Sequence, residues 1–299
     1  MRYGTYKIIG GNKVILEIKN LSHTYMPGTA FSTSAVKNIN LTVNQGEFIG
    51  LIGHSGSGKS TLIQHLNGLL KGNDGQILLD GKDIFENKNT LKSLRFRVGL
   101  VFQYPEAQLF EETVFDDIAF GPRNMGLCEE EVKERVNEAI SLCEIKDEHL
   151  DKSPFDLSGG QKRRVAIAGV IAMKPEILIL DEPTAGLDPK GRKKILSSIK
   201  TLHKKTNMTV ILVSHSMEDI ANNVDRIVVM NNGEIVMDAS QKEVFSRSEE
   251  LEKIGLSVPQ VSKVFSKLKK KGYDIPDDVY TIDRAKEVIL NLLKRGGSI

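Results

Sequence analysis

A glycine-rich loop between an apolar run and a helical pattern is the feature that most constrains the fold of this chain. The loop, GHSGSGKST, covers residues 53–61; the apolar run EFIGLIG precedes it, and TLIQHLNGLL follows with leucines at helical spacing. In a strand, loop and helix of this kind, glycines turn backbone N–H groups inward and the helix adds the positive end of its dipole. The sequence therefore predicts an α/β fold with a phosphate-binding loop.

The residues of this loop have separable roles in binding a nucleoside triphosphate. Lys59 supplies a mobile positive charge for the β- and γ-phosphates, and the Ser60 hydroxyl can bind Mg²⁺. A helix N-terminus contributes only about 0.3–1 kcal/mol at an exposed site, so the lysine and the metal must neutralise most of the phosphate charge. The residues predicted to contact ATP here are Gly53, His54, Ser55, Gly56, Ser57, Gly58, Lys59, Ser60 and Thr61.

Two acidic residues, Asp181 and Glu182, follow the apolar run ILIL, at the edge where a parallel sheet binds its ligands. Asp181 suits the water shell of Mg²⁺, and Glu182 suits a base that orients or deprotonates an attacking water. Alone, the pair would be better explained as a helix cap before a proline, and the phosphate loop is what favours the catalytic interpretation. Gln103 and His215 close two other predicted strands. Spacing alone does not decide whether they act in the site, because a lone residue of either type is often structural.

A second glycine-containing segment, LSGGQKRR at residues 157–164, also has the composition of a phosphate-binding helix start. Ser158 and the backbone N–H groups of Gly159 and Gly160 could face a γ-phosphate. Spacing alone leaves open whether that phosphate belongs to a nucleotide bound by the same chain or by another subunit.

Composition excludes several other classes of protein. Lys and Arg number 41 against 39 Asp and Glu, and the net charge of +2 is too small to indicate a nucleic-acid partner. Cys128 and Cys143 have no second Cys or His at metal-ligand spacing, so we expect two reduced thiols. Residues 1–20 lack the pattern of a secretion signal, and no apolar run approaches the about 20 residues that span a bilayer. We expect no membrane span in this sequence.

The sheets around the loop can be predicted from strand patterns. Short strands at residues 13–19 and 39–43, together with a hairpin at residues 74–84, indicate a small antiparallel layer. Strands that alternate with helices over residues 176–237 indicate a parallel sheet with crossover helices.

Helical sequence accounts for two further units. Charged, amphipathic sequence at about residues 106–165 predicts an inserted helical subdomain. Lysine-rich helical sequence at residues 245–299 predicts a C-terminal extension, which leaves residues 1–244 as the main nucleotide-binding domain.

Taken together, these motifs resemble those of ABC transporter ATPase domains. GHSGSGKST, the glutamine of VFQ, LSGGQ, ILILDEP, AGLD and the pair SH occur in that family's order and at about its spacing, over about residues 13–240. The resemblance implies a P-loop NTPase of the ABC ATPase type, with a mixed sheet core, an antiparallel β layer and a helical subdomain.

The resemblance also implies a role for individual residues. Tyr25 would stack on adenine, Gln103 would sense the metal and the attacking water, Asp188 would contact the second subunit, and His215 would be the switch histidine. The implied catalytic residues are Lys59, Gln103, Glu182 and His215, and the implied Mg²⁺ ligands are Ser60, Gln103 and Asp181. The implied contacts to ATP held by the other subunit are Leu157, Ser158, Gly159, Gly160 and Gln161.

A closer resemblance is to the cobalt-type ATPases of energy-coupling-factor (ECF) importers of vitamins and metals. It rests on TYMPGTAF, VFQYPEAQLFEETVFDDIAFGPRNMG and DEPTAGLDPKGR. The PGT turn with Phe31 and the FEETV segment resemble the second of the two paralogous ATPases of that complex more than the first. These ATPases also have a C-terminal helical region that holds two subunits together, which suits residues 245–299.

The function implied by this resemblance is an ATP-hydrolysing motor for import, at the cytoplasmic face of the cell membrane and without a membrane span of its own. The implied partners are a paralogous ATPase subunit or a second copy, a transmembrane energy-coupling subunit and a substrate-binding membrane subunit, with no nucleic acid. Residues 104–114 would contact helices of the transmembrane subunit, although Leu109, Phe110 and Val114 could equally belong to the subdomain core.

Two other classes of protein fit less well. Soluble ABC ATPases of DNA repair and chromosome maintenance have a long coiled coil between the phosphate loop and LSGGQ, whereas about a hundred residues without sustained heptads separate them here. Those of translation have two ATPase units in a chain, and this chain has one. A regulatory or substrate-binding module with an inactive site is opposed by the intact Lys59, Asp181, Glu182 and His215.

Overall fold

Two β-sheets organise residues 13–295, the part of the chain that the computed structural model describes. The predicted lack of a secretion signal concerns mainly residues 1–12, and the last four residues of the predicted C-terminal extension are 296–299, so both lie outside the described residues. The strands are β1 (Val14–Tyr25), β2 (Thr33–Asn44), β3 (Phe48–Ile52), β4 (Asp74–Leu79), β5 (Lys82–Asp83), β6 (Val98–Val101), β7 (Ile177–Asp181), β8 (Thr209–Val213), β9 (Arg226–Asn231) and β10 (Glu234–Ser240).

The predicted antiparallel layer is present as a four-stranded sheet in the order β2-β1-β4-β5. Its first two strands are longer than the sequence predicted, because bulges interrupt the apolar alternation. Asn20 and Asn38 have φ of 50° and 46°, and the pairing of β1 with β2 shifts between Ile18 and Leu21. Each bulge moves the buried positions by one residue, so a strict two-residue period ends before the strand does.

The larger sheet has six strands in the order β10-β9-β3-β8-β7-β6. All its neighbours are parallel except β9 and β10, which form an antiparallel hairpin. Alternate residues of β7 enter two separate clusters of buried side chains: Leu178 and Leu180 one of them, Ile177 and Ile179 the other. The sheet is therefore covered on both faces, which explains why its strands are continuous apolar runs in the sequence.

Helices surround the two sheets. They are α1 (Lys59–Leu66), α2 (Lys88–Arg97), α3 (Val114–Asn124), α4 (Glu129–Leu142), α5 (Gly159–Ala172), α6 (Pro189–Thr206), α7 (Met217–Asn223), α8 (Gln241–Ser246), α9 (Ser248–Lys253), α10 (Gln260–Lys270) and α11 (Ile282–Arg295). Helix α2 was not predicted because Leu94 is its only buried residue, although Asn87 caps it by accepting from the N–H groups of Asn89 and Thr90. Within residues 13–295, no helix has an apolar stretch long enough to cross a membrane.

Helices α3, α4 and α5 pack together in the region predicted as a helical subdomain. The predicted limit near residue 165 falls inside α5, which continues to Ala172 and packs against β6 of the large sheet. A single helix therefore packs against both the subdomain and the sheet.

The C-terminal extension divides into two parts by its packing. Val244, Phe245 and Leu251 of α8 and α9 belong to the large core beside the six-stranded sheet. Helices α10 and α11 form a separate small core, made of Phe265, Ile275, Val279, Ala285 and Val288. Helices α10 and α11 therefore have a core of their own. The role of the C-terminal extension in dimerisation remains a prediction.

Candidate functional site

The parallel strands of the large sheet all end at one edge, and the predicted catalytic residues follow those ends. The phosphate loop follows β3, Gln103 lies two residues after β6, Asp181 ends β7, and His215 lies two residues after β8. Strand β8 lies between β3 and β7, with Asp181 paired to Val213. The order of strands thus places the histidine between the phosphate loop and the segment that supplies the acid residues.

The phosphate loop is held together by hydrogen bonds from Lys59 to carbonyl oxygens of the loop itself. Gly58 has φ of 100°, and a Cβ at this position would collide with the carbonyl oxygen of Ala35, so only glycine fits there. The ammonium of Lys59 donates hydrogen bonds to the carbonyl oxygens of Gly53 and His54 at 2.7 and 2.9 Å, and Lys59 is only 7% exposed. The lysine charge is therefore held within the loop, where a bound phosphate would compete with the two carbonyl oxygens.

Burial controls the ionisation of the three charged groups at this edge. Burial lowers the pKa of Lys59, while the nearby Glu182 and Asp181 oppose that shift. Burial raises the pKa of Asp181, with Lys59 opposing, and burial together with the charge of Asp181 raises the pKa of Glu182 to about 7. A carboxyl with a pKa near neutrality has the property of a general base that works at physiological pH.

Glu182 is held in an unusual conformation. Its φ of 49° lies in the left-handed region, which costs about 1–2 kcal/mol for a residue with a side chain. Its N–H nevertheless donates to the carbonyl oxygen of Val213 at 3.0 Å, so the backbone stays joined to β8. Its buried Oε1 lacks a hydrogen-bond partner among the described residues and lies 3.5 Å from Nε2 of His215. This oxygen is thus available to accept a hydrogen bond from a ligand or a water.

His215 combines exposure with a neutral ring. Its side chain is 59% exposed, in contrast to the 12% of Glu182. Desolvation and the charge of Lys59 both lower its pKa, so at neutral pH the imidazole is uncharged and can donate or accept a hydrogen bond. It forms the open side of the site.

The oxygen donors that follow the strand ends suit a hard divalent cation that is shared with phosphates. Among the described residues there is no group of three or more His, Cys, Asp or Glu side chains that could hold a metal ion. The chain offers the Asp181 carboxylate, the Ser60 hydroxyl and the Gln103 amide, all oxygen donors of the kind that Mg²⁺ prefers. A cation here would need phosphate oxygens and water to complete its shell.

Tyr25 lies at the end of β1, close to the helix that follows the phosphate loop. Its hydroxyl is 3.3 Å from Oγ1 of Thr61, and its ring packs edge-on against His23 with centroids 4.6 Å apart. It is 39% exposed. The ring is therefore supported by His23 and remains partly exposed, as stacking on a base requires.

The LSGGQ segment, residues 157–161, stands at the N-terminus of α5. Leu157 is buried, and the Oε1 atom of Gln161 accepts from the N–H of Ser158 at 2.8 Å. A Cβ added at Gly159 would meet no other atom within 4 Å, and one at Gly160 would only touch Leu187. Within residues 13–293, no hydrogen bond or ion pair joins this segment to the phosphate loop. The two glycine segments thus make no polar contact with each other within the described part of the chain.

Asp188, the predicted contact to a second subunit, is exposed and caps α6. Its Oδ1 accepts from the N–H of Gly191 at 3.1 Å. One oxygen of this carboxylate therefore has a role inside the chain.

Sequence reasoning did not identify Arg163, which lies two residues after LSGGQ. This arginine is 3% exposed and makes two hydrogen bonds to the carboxylate of Glu106, at 3.1 and 3.0 Å. It also donates to the carbonyl oxygens of Ala185 and Gln103. The available signal was an arginine on the helix face that continues with Ile167 and Ile171, where a buried guanidinium needs acceptors. Arg163 joins the start of α5 to two segments of the site.

Comparisons with known proteins agree with this arrangement. A model of the ABC transporter family matches residues 36–185. The energy-coupling factor transporter ATP-binding protein EcfA2 of Caldanaerobacter subterraneus subsp. tengcongensis is 60% identical over 279 residues, 93% of this chain and 98% of that protein. The protein of the same name from Clostridium perfringens is 57% identical over 280 residues, again 93% of this chain and 98% of that protein.

Two solved structures have the same fold. CbiO1 from Clostridium perfringens, described as part of the ABC transporter complex CbiONQ, has a TM-score of 0.72 at 39% identity over 85% of this chain and 99% of its own. The ATP-binding cassette MJ0796, described as a dimer bound to ADP and Pi, has a TM-score of 0.69 at 30% identity over 76% of this chain and 98% of its own. The predicted ABC ATPase fold and the predicted likeness to the second ECF ATPase are both confirmed. The chain belongs to the ABC transporter family and, within it, to the ATP-hydrolysing energy-coupling factor transporter ATP-binding proteins.

Proposed function

We propose that this chain is one of two ATPase subunits that close head to tail around ATP, and that hydrolysis reopens the pair and moves membrane partner subunits. Each ATP would be held between the phosphate loop of one subunit and the LSGGQ segment of the other. In such a pair the same surface is used in both directions, as a two-fold interface requires.

The contrast between the two glycine segments carries this proposal. The phosphate loop is closed on its own chain, whereas a Cβ at Gly159 would meet no atom within 4 Å and one at Gly160 would meet only Leu187, at 3.8 Å. Glycine lowers helix stability relative to alanine, and no contact inside this chain requires it at these two positions. A ligand that approaches the backbone closely would require it, and the N-terminus of α5 attracts an anion.

The residues at the sheet edge would divide the chemistry of hydrolysis. Lys59 would exchange its two carbonyl contacts for the β- and γ-phosphates. Glu182, with its pKa near 7 and a free Oε1, would orient the attacking water and accept its proton. His215, neutral and exposed, would hydrogen-bond to the γ-phosphate or the water, and Gln103 would close the site from β6. Tyr25 would stack on the adenine.

Mg²⁺ is the metal that suits this site. The Ser60 hydroxyl, the Asp181 carboxylate and the Gln103 amide would hold it together with the phosphates, and when bound it would neutralise phosphate charge.

Residues 104–114 would contact the transmembrane partner. Tyr104 and Phe110 are 58% and 56% exposed, and the Phe110 ring packs edge-on against Phe120, itself 43% exposed. Leu109 and Val114 are buried and belong to the subdomain core. The exposed aromatic residues are the feature that supports docking of a helix, and they would attach the chain as a peripheral subunit to the cytoplasmic face of the cell membrane.

The C-terminal helix α11 offers a surface for holding two ATPase subunits together. Ile282, Ile289, Leu290 and Leu293 are 45–72% exposed, and three of them recur at helical spacing on one face. An exposed apolar face of this kind supports pairing with a paralogue or a second copy. Residues 245–299 would then serve as a dimerisation region and residues 1–244 as the nucleotide-binding domain.

The pair can be tested with a chain that binds ATP but does not hydrolyse it. Full-length chain with Glu182→Gln should form a pair in Mg-ATP, measured by light scattering, either alone or mixed with a co-encoded ABC ATPase subunit. It should remain single in ADP. If no pair forms with ATP in either mixture, the shared-site proposal is wrong. If DNA or ribosomes, rather than membrane subunits, stimulate the hydrolysis rate of the unmodified chain, the importer role is wrong.

A further inference from the structure

We propose that His149 is a positioning residue for the LSGGQ segment: it fixes the side-chain amide of Gln161 and so links the partner-facing half-site to the start of the helical subdomain. His149 ends a short turn, Asp147–His149, and lies outside the LSGGQ motif. The inference rests on the proposed function, in which LSGGQ contacts ATP held by the other subunit.

The amide of Gln161 is held at both of its ends. Its Oε1 accepts from the Ser158 N–H at 2.8 Å, which satisfies one of the unpaired N–H groups at the start of α5. Its Nε2 is 3.0 Å from Nε2 of His149, whose side chain is 13% exposed. Since Oε1 is used toward Ser158, the NH₂ group faces the histidine, and His149 Nε2 must be the acceptor.

Two donors face the ring at different distances. The Gln161 NH₂ group is 3.0 Å from Nε2, and the Lys152 ammonium is 3.4 Å from Nδ1. The other charged group that faces the ring is Glu148, with Oε1 3.9 Å from Nε2. Because the contact to Gln161 is the shortest of the three, we assign the acceptor role to Nε2.

The backbone around His149 is bonded to the segment proposed to meet the membrane partner. The N–H groups of Val114 and Phe115, at the start of α3, donate to the carbonyl oxygens of Lys152 and Leu150, both at 3.0 Å. The N–H of Lys152 donates to the carbonyl oxygen of His149 at 3.1 Å. The end of residues 104–114 is therefore connected to His149 by backbone hydrogen bonds to residues 149–152.

Loss of the His149 acceptor should affect one half-site and leave the other intact. Without it, the amide of Gln161 can rotate, and the Ser158 N–H loses its partner at the surface that would meet the γ-phosphate. The phosphate loop, which lies after β3 and has its own internal hydrogen bonds, shares none of these contacts.

The test measures ATP-dependent pairing of the full-length chain in the Glu182→Gln background. His149→Leu removes the acceptor and keeps apolar volume, and His149→Gln keeps an acceptor near the Nε2 position. One neutral hydrogen bond corresponds to about fivefold in an equilibrium constant, so His149→Leu should raise the ATP concentration for half-maximal pairing about fivefold. His149→Gln should remain within about twofold of the parent. ADP binding to the dilute single chain should be unchanged in both variants.

A double-mutant cycle with Gln161→Ala separates this role from a general loss of structure. In the Gln161→Ala background, His149→Leu should have no further effect, because the amide that it positions is absent. Pairing of His149→Leu at the parent's ATP concentration, an undiminished effect in the Gln161→Ala background, or weakened ADP binding by the single chain would each overturn the inference. If the Glu182→Gln parent does not pair at all, the proposed function has failed, and the two failures are distinguishable.

Discussion

The phosphate loop and the LSGGQ segment have similar composition and opposite surroundings. In the loop, Lys59 is 7% exposed and bonded to two carbonyl oxygens, and Gly58 is required by its own backbone. In LSGGQ, Gly159 and Gly160 have space on the side where a Cβ would be.

The difference shows that similar sequences can be glycine-rich for different reasons. The glycine at position 58 is explained inside the chain, by a positive φ and a close carbonyl group. The glycines at positions 159 and 160 have no such cause inside the chain, and the proposed function explains them by a ligand that comes close to the backbone. A motif whose small residues have no intramolecular cause is therefore a guide to an intermolecular contact.

The largest expected effect is on the chemical step. Glu182→Gln should reduce the rate of ATP hydrolysis by about 10²–10⁴, the usual contribution of a general base, because the amide cannot accept a proton. ATP binding to the phosphate loop should persist, as measured with a fluorescent ATP analogue and single-turnover kinetics. A variant that hydrolyses ATP at the original rate would remove Glu182 from the mechanism.

The phosphate loop should lose affinity for ATP when the positive charge of Lys59 is removed. Lys59→Met should weaken ATP binding by the single chain about 10–100-fold, which corresponds to one or two charged hydrogen bonds. Calorimetric titration of dilute protein measures this directly, with Lys193→Met on the exposed face of α6 as a matched control. Equal affinity in Lys59→Met and the parent would contradict the assignment of the loop.

The rate of ATP hydrolysis should depend on pH through Glu182. Because its pKa is about 7, hydrolysis should fall about tenfold between pH 8 and pH 6 as the carboxylate is protonated.

Stability should depend on pH with the opposite sign. A folded-state pKa above the ordinary 4.5 means that this carboxyl destabilises the fold increasingly as the pH rises from about 4.5 to about 7. Glu182→Gln should therefore raise the Tm at pH 8, by about 2–4 °C for each kcal/mol, and leave it unchanged below pH 4.5. A Tm difference that is the same at both pH values would contradict the raised pKa.

Alanine substitutions at Gly58 and Gly160 should change the free energy of unfolding differently, and both changes should be smaller than the effects on hydrolysis and ATP binding. Gly58→Ala should destabilise the fold by about 1–3 kcal/mol, because the new Cβ meets a carbonyl oxygen at a positive φ. Gly160→Ala should be neutral or stabilising by about 0.5 kcal/mol, because alanine favours a helix. It should nevertheless reduce ATP-dependent pairing. Chemical denaturation measures both; destabilisation by Gly160→Ala would indicate an intramolecular reason for that glycine.

Candidate site residues that directly follow a buried strand could be predicted from the sequence. The apolar runs before Gly53, Asp181 and His215 mark parallel strands covered on both faces, and parallel strands end at one edge. Bulges at Asn20 and Asn38 were missed because they break the period that identifies a strand, and α2 was missed because it has almost no buried face.

Contacts between distant residues could not be predicted. Arg163 and Glu106 are separated by 57 residues, and nothing in either local pattern identifies its partner. The same holds for His149. Its neighbour Gln161 is part of LSGGQ, which the sequence assigns to contact with ATP, so nothing in that motif points to a histidine partner. Such contacts are decided by how α5 packs against the segments beside it, which the sequence pattern of α5 alone does not determine.

The most direct test of the shared site is the nucleotide affinity of a single chain with a blocked LSGGQ segment. Gly160→Asp places a negative charge and a side chain where the γ-phosphate would approach. Measured at a concentration too low for pairing, its affinity for ATP should equal that of the parent within about twofold, while the pairing of the Glu182→Gln, Gly160→Asp double variant should be lost. A tenfold or greater loss of affinity in the dilute single chain, as expected for Lys59→Met, would mean that LSGGQ contacts the chain's own nucleotide and would contradict the account.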